Sequence, residues 1–471
     1  MSEQNNSSAL KIAPNPRINR AKLSYFICYE RAAFIDARPE GLAMAAKSSC
    51  LNHNCPPGFW RGVPQHWMMD WPSPFPIRLK TAKGTIVTDL DGNELVDLCL
   101  GDTGAMFGHS PNAIMRALNG VSETGLTAML PSEHSEFVGR KLVEVFGLAY
   151  WQMALSASDA NRFALRVARL ISKRQKILVF DGCYHGAVDE TVVALDNNGE
   201  IIAKPSNWGA AFNPASNSVC VPFNDLEALE AKLKSRDIAC ILMEPALTNC
   251  GIILPKAGYL QAVEALCEKY GTLLILDETH TLSTGLGGYT KGLGLLPDIF
   301  VAGKAVAGGI PCAIWGFNEK VKTGLENARA NMAQGHSGVG TTLGGSLLAM
   351  AAIKASLESL MTREVYDDMI ASASELEAEL AAIIADFDLD WSIIRLGARL
   401  EIVFSKLIPT NAKQMRETFD MELEHAIHLG LINRGFLVTP FHNMLLAGPN
   451  LPPDAIKKYG QAMRQILENV V

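Results

Sequence analysis

The middle of the chain, from about residue 110 to residue 330, alternates short apolar runs with segments of helical spacing. The runs predict strands at Lys176–Phe180, Cys240–Met243, Leu273–Leu276, Ile299–Ala302 and Cys312–Trp315. Near-continuous apolar strands separated by helices are typical of a parallel sheet that is covered on both faces. The sequence therefore predicts an α/β fold with a mostly parallel sheet.

The two ends of the chain carry other patterns. Residues 85–97 alternate around an Asp-Gly-Asn turn, which predicts a hairpin. A helix is predicted over Ser24–Ala46, and helix-prone runs with a mixed segment at 392–404 predict a smaller α+β domain built from both ends. The predicted divisions are a disordered tail (1–20), an N-terminal segment of the small domain and active-site gate (21–105), a large ligand-binding domain (106–345) and a C-terminal small domain (346–471).

Composition narrows the class of protein. A chain of 471 residues with 48% apolar and 19% charged residues can bury a large core. The net charge of −7 is modest and spread out, which argues against a nucleic-acid partner. No apolar run approaches the roughly 18 residues that span a bilayer, and the polar N-terminus lacks a signal pattern. The ten scattered cysteines lack disulfide or metal spacing, so we expect a cytoplasmic enzyme without a metal.

Lys304 and Asp277 carry the strongest chemical signal. Lys304 follows a predicted strand and is flanked by apolar and glycine residues, and Asp277 ends another predicted strand. A lysine in a dry pocket can lose its proton and condense with an aldehyde. An acid at the tip of a buried strand can hold a positive charge on a heteroaromatic nitrogen. Together they indicate pyridoxal phosphate chemistry, in which the cofactor accepts electrons and the protein supplies positioning and charge.

Further candidates follow the neighbouring strands, at the edge where open parallel sheets bind ligands. Gly182–Gly186 follows one strand and Glu244 follows another. Residues 155–158 supply small residues before a helix, as a phosphate requires.

Each candidate also has a plainer interpretation. Ser156 has the spacing of an ordinary helix cap, Lys304 alone fits a surface lysine, and Asp277 alone fits a turn residue or cap. His185 and His280 are more often structural histidines than catalysts. The ordered set, rather than any single residue, favours an active site.

The ordered motifs resemble those of the class III aminotransferases, a family of fold type I pyridoxal phosphate enzymes. The resemblance covers roughly residues 60–465 and is greatest to the branch with glutamate-1-semialdehyde aminomutase and the β-amino-acid transaminases. The matching phrases are Asp89-Leu90-Asp91-Gly92-Asn93, Gly108-His109-Ser110-Pro111, Gly182-Cys183-Tyr184-His185-Gly186, Glu244-Pro245, Asp277-Glu278-Thr279 and Gly303-Lys304. The series is specific for family and fold, and much less so for substrate.

The resemblance implies roles for individual residues. Lys304 would bind pyridoxal 5′-phosphate covalently and then shuttle protons on the substrate. Asp277 would keep the pyridine nitrogen protonated. Tyr184 would stack on one face of the ring, and Thr279 would pack on the other, where the family usually has valine.

It also implies a phosphate site and a dimer. Ala157 and Ser158 fall where the family has its Ser-Gly-Thr phosphate loop, although Ala157 replaces a frequent glycine. Ser156, His185 and Glu244 complete the predicted cofactor-binding set. Thr342 matches a threonine that reaches the phosphate from the neighbouring subunit, which implies a homodimer with shared active sites.

One departure concerns the substrate. The aminomutase branch has a Ser-Pro-Val-Arg element near the N-terminal gate, whereas this chain has Val63–Met69 there, with no arginine. Arg399 is the best placed alternative for a substrate carboxylate, because an arginine binds a carboxylate through two N–H groups. The competing interpretation of Arg399 is a strand-surface arginine paired with Glu401.

Three functions follow. The first is an aminotransferase that moves an amino group between a small amino acid, such as a β- or ω-amino acid, and a keto acid. The second is an isomerase of the same chemistry, either an aminomutase or an amino-acid racemase. The third is a non-catalytic descendant, which the intact Lys304, Asp277 and phosphate loop disfavour.

Overall fold

A computed structural model of the chain describes residues 17–48, 58–209, 213–335 and 337–471. In chain order, the helices are α1 (Arg20–Asp36), α2 (Pro39–Ser48), α3 (Asn112–Thr124), α4 (Ser135–Phe146), α5 (Ala157–Ser172), α6 (Leu226–Leu233), α7 (Tyr259–Tyr270), α8 (Gly288–Gly292), α9 (Glu319–Arg329), α10 (Leu347–Ser359), α11 (Arg363–Asp386), α12 (Ala412–Arg416), α13 (Met421–Asn433) and α14 (Ala455–Val470). Residues 1–16, most of the predicted tail, lie outside the described residues.

The strands are numbered in the same way. They are β1 (Leu79–Lys83), β2 (Ile86–Asp89), β3 (Glu94–Asp97), β4 (Tyr150–Ala154), β5 (Lys176–Phe180), β6 (Val193–Leu195), β7 (Ile201–Ala203), β8 (Ser218–Val221), β9 (Ile238–Met243), β10 (Leu273–Asp277), β11 (Ile299–Ala302), β12 (Ala313–Phe317), β13 (Ser392–Leu396), β14 (Arg399–Val403), β15 (Phe436–Leu437) and β16 (Met444–Leu446). The predicted hairpin at residues 85–97 is formed by β2 and β3.

The central sheet has the strand order β4-β12-β11-β10-β9-β5-β8. Its strands pair in parallel except for β12, which is antiparallel to both β11 and β4. A parallel crossover needs a dozen or more residues, and the link from Ala302 to Ala313 is shorter than that, so the chain returns antiparallel. The prediction of a mostly parallel sheet is confirmed, whereas the reversal of β12 was not predicted.

Both faces of the sheet are buried, which explains its continuous apolar strands. In β11, Ile299 and Val301 pack into the core on one face, and Phe300 and Ala302 pack into the core on the other. Helices α5 and α7 contribute to the first core, and α3, α4 and α10 contribute to the second. The sequence pattern does not mark the edge strands β4 and β8, because β4 carries the exposed Gln152 and β8 is short.

The two ends of the chain join in smaller sheets beside the central one. β15 pairs in parallel with β3, and α1 packs against α13 and α14. α1 begins at Arg20 because the side chain of Asn19 caps it, so the predicted tail extends slightly too far. The helix predicted over Ser24–Ala46 is divided into α1 and α2, since Pro39 disfavours helical backbone in the residue before it. The domain boundaries themselves stay predictions.

The turn between β13 and β14 ties the small sheets to the central one. Gly397 has a left-handed backbone (φ 63°), and a Cβ atom there would lie only 2.6 Å from the carbonyl oxygen of Ser283. The next residue, Ala398, donates its N–H to that same oxygen at 3.0 Å. This close approach brings the start of β14 against the loop that follows β10.

The described ranges lack membrane-spanning helices, disulfides and groups of side chains arranged to bind a metal ion. Among their helices, none is both long enough and apolar enough to cross a membrane. Their cysteines are all free. In the same ranges, His, Cys, Asp and Glu side chains form no group of three that is arranged to hold a metal ion.

Candidate active site

A cavity of about 660 Å³ opens at the carboxyl ends of the parallel strands. Most of the predicted site residues line it, namely Ser156, Ala157, Ser158, Tyr184, His185, Glu244, Asp277, Thr279 and Lys304. They come from five different strand ends, and the common direction of those strands brings them together. Thr342 and Arg399 are not among the lining residues.

Lys304 follows β11 and begins a short 3₁₀ turn with a left-handed backbone (φ 50°). Its Nζ lies 2.5 Å from Oδ2 of Asp102 and 2.5 Å from Nε2 of His280. The side chain is only 27% exposed, so it is not an ordinary surface lysine. The amine is held between a carboxylate and an imidazole at the cavity wall.

Asp277 ends β10 and lies buried beside the cavity. Its Oδ2 accepts a hydrogen bond from Asn161 at 2.8 Å and lies 2.9 Å from Nδ1 of His185. Its Oδ1 accepts from the hydroxyl of Thr279 at 2.6 Å. Burial by itself raises the pKa of the carboxyl, but His185, Thr279 and Asn161 together hold the pKa below its usual value. Asp277 is therefore a stable anion in an apolar setting.

His185 and Asn161 both contact the Asp277 carboxylate at hydrogen-bond distance. Burial lowers the pKa of His185, but the neighbouring Cys183 and Asp277 raise it to a net value above its usual range. Nε2 of His185 and Oδ1 of Asn161 are buried without a hydrogen-bond partner among the described atoms. Such orphaned atoms are rare in folded proteins, and His185 lines the cavity.

The N-terminus of α5 forms one wall of the cavity. The Oγ of Ser156 accepts a hydrogen bond from the N–H of Asp159 at 3.2 Å, so Ser156 is a helix cap as well as a lining residue. The Oγ of Ser158 accepts from the N–H of Ala187 at 3.0 Å. Gly186 has a left-handed backbone (φ 81°), and a Cβ there would collide with that same Oγ. The free N–H groups of the helix end suit an anion.

A buried chain of hydrogen bonds leads from Glu244 to Lys304. The hydroxyl of Thr248 donates to Oε2 of Glu244 at 2.5 Å and lies 2.7 Å from Nδ1 of His280. Burial raises the pKa of the Glu244 carboxyl. Burial and then the charge of Lys304 lower the pKa of His280 well below its usual value. The ring of His280 is therefore neutral.

Arg399 is completely buried, so its interpretation as a strand-surface arginine is wrong. The carboxylate of Glu401 pairs with Nδ1 of His442 at 2.7 Å instead. Nε of Arg399 donates to the carbonyl oxygen of His280 at 3.0 Å and to the hydroxyl of Ser283 at 2.9 Å. Burial lowers the pKa of this guanidinium to about 10. Its role as a substrate ligand stays a prediction.

Asp102, Asn161 and Thr248 were not predicted as site residues. Tertiary structure alone brings Asp102, which follows β3, to Lys304, and it brings Thr248, which follows β9, to His280. Asn161 had a usable signal, because it lies four residues after Ala157 and so one helical turn further along the same face.

Comparison with known proteins identifies the family. A model of the family described as Aminotransferase class-III matches residues 68–446. The chain belongs to the class III aminotransferase family. This confirms the resemblance seen in the motifs, the fold type I architecture and pyridoxal phosphate as the cofactor.

Similar proteins in this family include aminomutases and transaminases. A glutamate-1-semialdehyde 2,1-aminomutase of Anaeromyxobacter dehalogenans is 32% identical, covering 80% of this chain and 84% of that protein. The crystal structure of a glutamate-1-semialdehyde-aminomutase from Pseudomonas aeruginosa PAO1 matches with a TM-score of 0.92 and 37% identity, covering 96% of this chain and 99% of that one. An omega-transaminase from Sphaerobacter thermophilus shares the fold, with a TM-score of 0.81 at 22% identity over 91% of this chain and 97% of that one. The aminomutases favour the isomerase alternative over the aminotransferase function that the sequence analysis puts first.

The described residues fit this class III cofactor. The N-terminus of α5 offers N–H groups to a phosphate, and Asp277 offers a buried carboxylate to a ring nitrogen. Lys304 offers an amine to an aldehyde. The orphaned Nε2 of His185 lines the same cavity and can bond to a polar group there.

His185 makes the stability of the cofactor-free protein depend on pH. Its pKa is raised to about 10 in the fold from an ordinary value of 6.5, so its charge stabilises the fold fully below about pH 6.5, and this stabilisation is lost as the pH rises toward 10. Asp277 adds no pH dependence here, because its pKa lies below its usual value. We expect the melting temperature of His185→Gln to lie furthest below the native one near pH 6 and to approach it near pH 10. A gap that stays constant over this range, measured by thermal unfolding, would contradict the assignment.

Proposed function

We propose that the protein is a pyridoxal-phosphate-dependent aminomutase that moves an amino group between neighbouring carbons of a small substrate like glutamate 1-semialdehyde. The observation that carries this proposal is the likeness to the P. aeruginosa aminomutase along almost the whole of both chains. The geometry of Lys304 and Asp277 around one cavity supports the same chemistry. The curated relative from A. dehalogenans supports it independently.

The reaction needs protons to be moved between carbon atoms. When bound, pyridoxal phosphate stabilises the negative charge that develops on a substrate carbon as its proton leaves. The amine of Lys304 takes that proton and returns it at the second position, acting as base and then as acid. The carboxylate of Asp277 keeps a proton on the ring nitrogen, because His185 and Asn161 hold it ionised in a buried setting.

Other residues bind and shield the reactants. Ser156 and the N–H groups at the start of α5 would hold the phosphate. Tyr184, which lines the cavity and is 48% exposed, would stack on the ring. An apolar wall of Ile114, Met115 and Ile310 excludes water, which strengthens every electrostatic contact inside.

An aminotransferase that acts on a small amino acid and a keto acid is the second candidate. One observation favours it, namely that the gate at Val63–Met69 lacks the arginine that the aminomutase branch has there. A substrate carboxylate usually meets an arginine. Arg399 would have to give up its contacts with His280 and Ser283 to serve as that ligand.

We also propose a homodimer with shared active sites. Thr342 is exposed and lies outside the cavity of its own chain, as expected for a residue that serves the neighbouring subunit. Large apolar side chains are exposed at Leu126, Met129, Leu130 and Leu343. Contiguous exposed apolar side chains mark a surface that a partner covers, so these residues are candidates for that surface. The cytoplasmic location stays a prediction.

The first functional test uses glutamate 1-semialdehyde with no keto acid present. We expect the loaded enzyme to convert it to the isomer in which the amino group has moved, because Lys304 keeps the proton within one active site. Lys304→Ala should lower kcat by about 10⁴-fold or more, since both proton transfers are lost. Product formation is followed by chromatography.

The matched control is Lys406→Ala, which removes a lysine that is 69% exposed and paired with Asp390. It should leave the rate unchanged. Turnover that appears only after a keto acid is added would contradict the aminomutase and favour the aminotransferase.

The dimer is tested by mixing two defective proteins. Thr342→Ala should weaken cofactor binding by roughly 10- to 100-fold, because one hydrogen bond to a charged phosphate is lost. In a hybrid of a Lys304→Ala subunit with a Thr342→Ala subunit, shared sites place both defects in one site and leave the other intact. We expect purified hybrids to recover about half of the native activity per dimer at low cofactor concentration. Hybrids that show no recovery would contradict shared sites.

A further inference from the structure

The backbone that carries Asp102 is strained. Consecutive residues from Leu100 to Thr103 all have left-handed φ angles, which are 49° at Leu100, 49° at Asp102 and 78° at Thr103. Such angles cost a non-glycine residue about 1–3 kcal/mol each, and they persist where the surrounding structure enforces them. Asp97 anchors the start of the segment, because its Oδ1 accepts from the N–H of Leu100 at 2.7 Å. The fold therefore maintains a costly conformation that delivers one carboxylate to Lys304.

The ring of His280 is fixed with its acceptor nitrogen toward Lys304. The hydroxyl of Thr248 donates its only hydrogen to Glu244 at 2.5 Å, so it accepts from Nδ1–H of His280 at 2.7 Å. Nε2 of the neutral ring then carries a lone pair, and it lies 2.5 Å from Nζ of Lys304. His280 is thus an acceptor of a hydrogen bond from the lysine.

Arg399 connects these two groups. Its Nε donates to the carbonyl oxygen of His280 at 3.0 Å, and its Nη2 donates to the hydroxyl of Thr103, the residue after Asp102. The guanidinium is completely buried and rigidly held, with Nε also bonded to Ser283. Arg399 therefore links the chain segments that carry the imidazole and the carboxylate.

We propose that Asp102 and His280 form an acceptor pair that holds the protonated amine of Lys304 in one orientation for proton transfer. The inference deepens the proposed function and rests on Lys304 as its acid and base. An ammonium group has three N–H donors, and the pair binds two of them. One N–H is left to deliver its proton to the substrate. The proton taken from the first carbon stays on Nζ until it is returned, so no proton is gained or lost.

In this pair, Asp102 supplies a negative charge, and His280 supplies an uncharged acceptor that orients the lysine amine. Oδ2 of Asp102 forms an ion pair with Nζ, whereas the ring of His280 is uncharged. The titratable and charged groups around the pair are Lys304, Arg399, Asp277, Cys99, Tyr184 and His442, with Glu244 linked to His280 through Thr248. Removing Asp102 therefore leaves the lysine amine without the nearest negative charge.

The test measures the reactivity of Lys304 in the cofactor-free protein, without any substrate. Acetic anhydride labels neutral amines, and mass spectrometry of the Lys304 peptide gives the extent of labelling at each pH. We expect Lys304 to be labelled about 10-fold faster in Asp102→Asn than in the native protein at the same pH, because the carboxylate that holds the amine by a charged hydrogen bond is lost. Asn tolerates the left-handed backbone at this position, so the variant keeps the local fold. His280→Gln should change the labelling rate much less.

The matched control is Asp390→Asn, which removes the same charge beside the exposed Lys406. It should leave the labelling rate of Lys304 unchanged. A labelling rate of Lys304 in Asp102→Asn equal to the native rate, in a protein with a native melting profile, would overturn the acceptor pair. Because no substrate is used, this outcome is independent of whether the aminomutase reaction is found.

Discussion

The site depends on one constraint, which is the shared direction of β4, β5, β9, β10 and β11. Parallel strands end at the same edge of a sheet, so residues that are far apart in sequence meet there. Asp277 ends β10 and Lys304 follows β11, its direct neighbour in the sheet. The antiparallel β12 does not disturb this edge, because it returns the chain from the Lys304 turn to pair with β4.

A second constraint is that several charged groups are buried around the cavity. Burial alone would neutralise a carboxylate such as Asp277, and it is opposed by the hydrogen bonds and charge of its neighbours. At Glu244 burial outweighs the effect of its partners, so the pKa of the carboxyl rises. At His280 burial and the charge of Lys304 lower the pKa, so the ring stays neutral. Adjacent groups of the same site thus differ in charge because their partners differ. Asp277 can hold a positive charge because it is an anion, and His280 can accept a hydrogen bond because it is neutral.

Much of the fold could be predicted from sequence, and most of the predicted site residues line the cavity. Continuous apolar runs marked the inner strands, and residues just beyond those strands proved to line one cavity. The edge strands escaped because β4 carries the exposed Gln152 and β8 is short. The reversal of β12 was not predicted, because it depends on the length of the connection from β11. Asp102 escaped because a strained backbone and tertiary contacts place it, and Arg399 proved to be buried because Gly397 packs against Ser283.

The proposed chemistry requires the amine of Lys304 to be the group that bonds to pyridoxal phosphate within this cavity. Borohydride reduction of the loaded protein fixes that bond, and peptide mass spectrometry then locates it. We expect a cofactor-derived mass on the peptide that contains Lys304, and none in Lys304→Ala. A label on any other lysine, or no label on the native protein, would contradict it.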